Sequence, residues 1–238
     1  MKIIDFHMHI KGGDRDRTEA TGEEIIKIMD RAGIERSVVF SICISAREGN
    51  LKTYKEVKKF PDRLIGFATG IPAFNTNVCE EIERAVNEYG FKGVKVHRGI
   101  HTLEGYLIFP LIEKCIELDI PCLIDCCAEF EPVKEIVKNY PSAKIVVAHL
   151  GGEDQTVLEK LLDLANETEN LYFDTSYVRA VGFIGKAIEK VGSKKLIFGS
   201  DGPLIPPEID IAKINFWKLT EEEKEDIFYN NAKKLLKI

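Results

Sequence analysis

Short β-rich runs alternate with longer stretches of helical period along this chain. The runs at 3–9, 36–41, 64–70, 93–97, 121–125, 144–149, 171–175 and 195–200 read as strands. Between them, 21–32, 50–60, 77–89, 106–118, 131–139, 155–167 and 181–190 repeat apolar residues at helical spacing, and 220–236 closes the series as a helix. The punctuation agrees. Thr21 stands where an N-cap belongs and Gly33 lies just past the helix end, while Thr220 and Glu223 have the spacing of a capping box. The stretch 203–217 (PLIPPEIDIAKINFW) is the one irregular connection and reads as a loop over the mouth of the fold.

Alternation of strand and helix predicts an α/β fold with a parallel sheet. Eight such units over 238 residues predict a closed (β/α)8 TIM barrel, one domain spanning 1–238. A doubly wound open sheet is the runner-up, but no Gly-rich phosphate fingerprint follows the first strand.

Composition narrows the function. The chain is 45% hydrophobic and 30% charged with a net charge of −6, which argues against a nucleic-acid or anionic-membrane partner. No apolar run reaches the roughly 18 residues that span a bilayer, and the opening MKIIDFHMHIKGGD lacks the apolar core of a secretory signal. The six cysteines, Cys43, Cys79, Cys115, Cys122, Cys126 and Cys127, are scattered and match neither a zinc finger nor a disulfide scaffold. Reduced thiols in a cytoplasmic protein are the simplest reading.

The candidate chemistry gathers where barrel enzymes keep it, at the C-terminal ends of the strands. Of five histidines, His7, His9, His97 and His149 end predicted strands and His101 follows one. His7 and His9 are two apart, so on a strand they point the same way and grip a metal together. Asp125 and Asp201 end strands five and eight and are the expected further ligands. Asp5 shares the inward face with the two histidines, deeper in the barrel, and reads as a supporting group. A His-x-His pair alone is more often accidental; its company at the strand ends favours the metal. His97 is either a substrate contact or a satisfied rim residue, and His101 a loop residue. Lys95 reads as a core-edge cation facing a carboxylate such as Asp5. Cys122, Cys126 and Cys127 read as packing residues. Arg47, Arg98 and Arg179 follow strands and are either anchors for a substrate carboxylate or solvated surface residues.

Asp5-Phe-His7-Met-His9 resembles the strand-one D-x-H-x-H of the amidohydrolase superfamily. Gly93-Val-Lys-Val-His97, Ala148-His149-Leu-Gly-Gly152, Asn170-Leu-Tyr-Phe-Asp174-Thr175 and Phe198-Gly-Ser-Asp201-Gly-Pro203 follow in the order of its amidohydrolase-related branch, which also contains decarboxylases and lactonases. The closing Tyr229-Asn-Asn-Ala-Lys-Lys-Leu-Leu236 is similar to that branch's last helix, so the resemblance covers essentially the whole chain. It implies a divalent metal, zinc first with manganese or iron as alternatives, held by His7 and His9. It implies Asp201 as ligand and acid/base group, and His149 as the group that polarises the substrate. One departure stands out: the family's strand-five histidine is here Asp125, in Leu123-Ile-Asp125. A variant of the superfamily bridges two metals with a carbamylated strand-four lysine, a place compatible with Lys95.

The resulting expectation is a metal-dependent hydrolase of a small amide, ester or lactone. Asp201 takes a proton from the attacking water and returns it to the leaving group; His149 steadies the oxyanion; His97, Arg98 and Arg179 bind the substrate. The alternatives are a non-oxidative decarboxylase on the same site, a TatD-like nuclease, which lacks its strand-four glutamate here, and a degenerate barrel with a binding role. A small-molecule substrate is the expected partner, and a homodimer is the oligomer the resemblance suggests.

Overall fold

A computed structural model describes residues 1–10, 20–73 and 77–238. Its strands are β1 (Ile4–His9), β2 (Arg36–Phe40), β3 (Leu64–Gly66), β4 (Ala68–Thr69), β5 (Val94–His97), β6 (Cys122–Asp125), β7 (Ile145–Val147), β8 (Leu171–Asp174) and β9 (Leu196–Ile197). All pair in parallel, in the orders β1-β2-β3 and β4 through β9. β3 and β4 are one barrel strand interrupted at Phe67, whose amide donates to Val39 at 3.0 Å. The ring closes where Phe6 N–H donates to Phe198 O (2.9 Å), Asp201 N–H to His7 O (2.8 Å) and His9 N–H to Gly202 O (2.7 Å). The expected eight-stranded TIM barrel is the fold.

The helices are α1 (Gly22–Ala32), α2 (Ala46–Lys59), α3 (Val78–Tyr89), α4 (Gly105–Glu117), α5 (Phe130–Asn139), α6 (Gln155–Glu167), α7 (Val181–Val191), α8 (Pro207–Asn215), α9 (Glu221–Glu225) and α10 (Asn231–Leu236). The boundary signals act as expected: Thr21 and Glu24 form a capping box, Gly33 closes α1 at φ 72°, and Thr220 and Glu223 cap α9. Three expectations are corrected. The 203–217 stretch is not a loop throughout, because Pro207 takes the first turn of α8, where its missing N–H costs nothing. The second helix starts at Ala46, capped by Ser45, four residues before the expected 50. The closing 220–236 segment is α9 and α10 joined by a π turn at Asp226–Asn230.

Apolar residues form two layers. Ile4, Phe6, Val38, Phe40, Phe67, Leu123, Val146 and Ile197 fill the barrel interior, and Ala232, Leu235 and Leu236 of α10 pack onto the same cluster. A second cluster, including Met8, Val39, Val94, Ile124, Val147 and Phe173, joins the outer strand faces to the helices. In β1 the alternation breaks. Ile4 and Phe6 belong to the interior, Met8 to the outer layer, and the pairing with β2 shifts register between Asp5 and Met8. An extra residue in a strand reverses the facing of every later position. His7 and His9 are therefore neighbours, with rings 5.1 Å apart, but Asp5 does not share their face as strict alternation requires.

Candidate metal centre

Asp5 is wholly buried and spends its carboxylate on the barrel seam. Oδ1 accepts from the amides of His7 (3.0 Å) and Ser200 (3.1 Å), and Oδ2 accepts from the Ser200 hydroxyl. Burial pushes its pKa up to about 7 against those bonds. Asp5 thus holds β1 to the turn that carries Asp201.

His7, His9 and Asp201 converge, with one ligand atom from each lying within 4.8 Å of the others. Asp201 Oδ1 is 2.7 Å from His9 Nε2 and 3.3 Å from His7 Nε2. His7 Nδ1 donates to Asp174 Oδ2 at 2.7 Å. An ionised carboxylate only accepts, so the ring proton sits on Nδ1 and the Nε2 lone pair faces Asp201. Burial and the Lys95 charge lower the His7 pKa to about 3, keeping the ring neutral. Burial works against ionised Asp174, but the His7 bond, the His149 charge and the Ser176 hydroxyl outweigh it and bring its pKa to about 2. Burial likewise opposes the Asp201 anion, and the His9 bond with the His9 and His149 charges holds it below the usual carboxylate range. Two imidazole nitrogens, one of them oriented by a carboxylate, and one anionic oxygen fit a divalent ion of the Zn, Mn or Fe kind.

His149 is not at the end of a strand. β7 stops at Val147, and His149 sits in the following 3-10 turn at φ 57°. Its amide donates to Asp174 Oδ1 (3.0 Å) and its Nδ1 to the Ser176 carbonyl (3.0 Å). Its ring stacks on His7 at 4.8 Å, and its Nε2 is 3.5 Å from Asp125 Oδ2. Burial disfavours the imidazolium, but the Asp125 bond and the Asp174, Asp201 and Asp125 charges outweigh it and raise the pKa to about 9.

Asp125 lies outside the group formed by His7, His9 and Asp201 and belongs to another, with His97 and Cys127. Its Oδ2 is 3.3 Å from His97 Nε2. Burial pushes its pKa up, and His149, Lys95 and His97 together pull it well below the carboxylate range. Lys95 is 1% exposed; its Nζ lies 3.3 Å from His7 Nε2 and 5.2 Å over the Phe40 ring, so it faces an imidazole rather than Asp5.

The expected rim residues are engaged elsewhere. Arg98 Nε donates to Glu129 at 2.7 Å, and the exposed Arg179 pairs with Glu153. His101 Nδ1 bonds the Thr102 carbonyl. Arg47 lines a cleft of about 510 Å³ with Ser45, Ile71, Asn77, Glu81 and Arg84. Two residues that sequence reasoning leaves without a role are central. Asp174 aims His7, and the Ser176 hydroxyl lies 3.1 Å from His7 Nδ1 and 2.9 Å from His149 Nδ1. The available signal for Asp174 is its place at the end of a predicted strand.

Comparison with known proteins agrees with the barrel fold. A 2-keto-4-carboxy-3-hexenedioate hydratase of Sphingobium is 22% identical over 208 residues, 67% of this chain, and the match spans 61% of that relative's length. Among solved structures, 2,6-dihydroxybenzoate decarboxylase from Rhizobium superposes with a TM-score of 0.81 at 19% identity, covering 99% of this chain and 98% of that one. A 5-carboxyvanillate decarboxylase from Novosphingobium aromaticivorans, solved with manganese bound, gives 0.80 at 18% identity over 99% and 97%. Among the described residues no helix is long and apolar enough to cross a membrane. The family model for the amidohydrolases matches residues 4–238, the span that runs from β1 and its two histidines past Asp201 to α10, and the chain belongs to that family.

Proposed function

We propose that the chain is a divalent-metal-dependent lyase that removes CO2 from a small carboxylic acid. The observation that carries this reading is a pair of cations, the buried Lys95 and the part-buried His149, set beside His7, His9 and Asp201. Cations sheltered from water favour an anionic substrate and strengthen its orientation. The similarity to two decarboxylases and a hydratase, each named for a carboxylic acid, points the same way.

His7, His9 and Asp201 would hold the metal, and the metal would supply Lewis acidity toward a substrate oxygen. Lys95 and His149 receive the substrate carboxylate. When the C–C bond breaks, CO2 leaves and the electron pair stays on the substrate carbon. His149 Nε2–H gives up its contact with Asp125 and passes its proton to that carbon, while the Ser176 carbonyl, accepting from Nδ1–H, holds the imidazole in place. Water then restores the His149 proton. Hydration is the second reading, favoured by the Sphingobium relative: Asp201 takes the proton of water and His149 protonates the neighbouring carbon. Hydrolysis uses the same two groups with an oxyanion in place of the carbanion.

The test incubates manganese- or zinc-loaded protein with ortho-hydroxybenzoates, unsaturated tricarboxylates and lactones. Headspace mass spectrometry reads CO2, and chromatography reads hydrated or ring-opened product. CO2 release that disappears in His7→Ala/His9→Ala is the expected result. Water addition or lactone opening without CO2 would replace the decarboxylase reading by hydratase or hydrolase.

A further inference from the structure

We propose that His97, Asp125 and Cys127 form a second divalent-cation site, thiolate-containing and suited to a soft ion such as Zn(II) or Cd(II), beside the His7–His9–Asp201 group. One ligand atom from each lies within 4.8 Å of the other two. Asp125 divides its carboxylate between its neighbours: Oδ2 is 3.3 Å from His97 Nε2, and Oδ1 is 3.5 Å from Cys127 Sγ.

The backbone is bent to make this possible. After β6 the chain places two consecutive non-glycine residues in the left-handed region, Cys127 at φ 47° and Ala128 at φ 63°. Each such conformation costs on the order of 1–3 kcal/mol and persists only where surrounding bonds impose it. Here Ala128 N–H donates to Gly151 O (3.1 Å) and Glu129 N–H to Cys126 O (3.0 Å), while Cys127 N–H donates to Asp125 Oδ1 (3.0 Å). The turn folds the thiol back over the carboxylate instead of letting it leave with the chain.

The two groups differ in chemistry. His7, His9 and Asp201 are buried and offer nitrogen and oxygen. Cys127 is exposed and His97 half-buried, which gives an ion an entry path, and the sulfur favours softer metals. Binding through His97 Nε2 moves the ring proton to Nδ1, which now accepts from Gly99 N–H at 3.0 Å, so that bond is given up on loading. The second site is therefore the weaker of the two.

The test titrates metal-stripped protein with Cd(II) and follows thiolate-to-cadmium charge-transfer absorption in the ultraviolet, with bound metal counted by elemental analysis. The band is expected to grow to saturation in the wild type. It is expected to survive in Cys43→Ser and in His7→Ala/His9→Ala, the latter losing only the metal of the buried group. Cys127→Ser is expected to abolish the band, and circular dichroism checks that this variant folds. His97→Ala, which keeps the thiol, is expected to weaken Cd(II) binding by about 10-fold or more. No band in the wild type, or a band of full strength in Cys127→Ser, overturns the proposal. Survival of the band in the double histidine variant separates this site from the lyase reading.

Discussion

The barrel interior and the innermost side chains of its C-terminal face are both buried, yet they are built on opposite principles. Phe6, Phe40 and Phe67 in the interior are fully buried and satisfied by contact alone; Phe6 and Phe67 meet edge to face at 5.4 Å. At the face, Asp174 and His7 are 0% exposed and Lys95 1%, and each is tolerated because an opposite charge or a hydrogen bond faces it. The backbone differs as well. Cys127, Ala128, His149, Leu150, Tyr177 and Asp201, all just beyond strand ends, adopt positive φ. One layer gains stability from shape. The other spends stability to hold charges at fixed distances.

The largest effect expected from this contrast comes from the apolar layer. Phe67→Ala removes a buried ring that packs on the position of Gly93, where even a Cβ would lie 2.3 Å from Phe67 Cζ. A loss of about 3–5 kcal/mol in denaturant unfolding is expected, with metal stoichiometry of the folded protein unchanged. A loss of metal at full folding would show that the two layers are not separable.

A smaller effect is expected at Asp210, a buried carboxylate on α8 paired with Lys213 at 2.9 Å. Burial, helped by the charges of Asp201 and Asp174, raises its pKa to about 6 against the Lys213 bond. A raised folded-state pKa gives stability that is present below the unfolded value near 4 and lost as pH rises through about 6. The wild type is expected to lose up to about 3 kcal/mol across that window relative to Asp210→Asn, read as the difference between the two stability–pH curves. Parallel curves would contradict the assignment.

The smallest expected effect is the sharpest test of the polar layer. Asp174→Asn keeps the shape but replaces the anion that fixes the His7 tautomer. Metal affinity, measured by competition with a chelator, is expected to fall about 10- to 100-fold with little change in thermal stability. An unchanged affinity would remove Asp174 from the centre.

The apolar layer is also the more legible in sequence. Strand runs such as 121–125 and helices such as 155–167 follow from local periodicity, and the capping residues Thr21, Gly33 and Thr220 mark helix ends. The 203–217 segment reads as a loop because Pro206 and Pro207 look like breakers, although a proline in the first turn starts a helix. At the face, His7, His9, His149 and Asp201 are legible from their places at or near predicted strand ends. The Asp174 role is not, since its partner lies 167 positions away, and neither is the parity change that separates Asp5 from His7. Sequence puts Asp125 beside His7 and His9, because a strand end fixes a residue's height on the barrel but not which neighbours its oxygens meet.

The seam that closes the barrel has a consequence for synthesis. His9 and Asp201, which share the candidate metal group, are 192 positions apart and sit on β1 and on the turn after β9. Both histidines are therefore synthesised some 192 positions before the carboxylate that completes their candidate group. Domains fold as units, so an ion that needs all three ligands would be captured only by a barrel already closing, and its capture would latch β1 to the turn after β9.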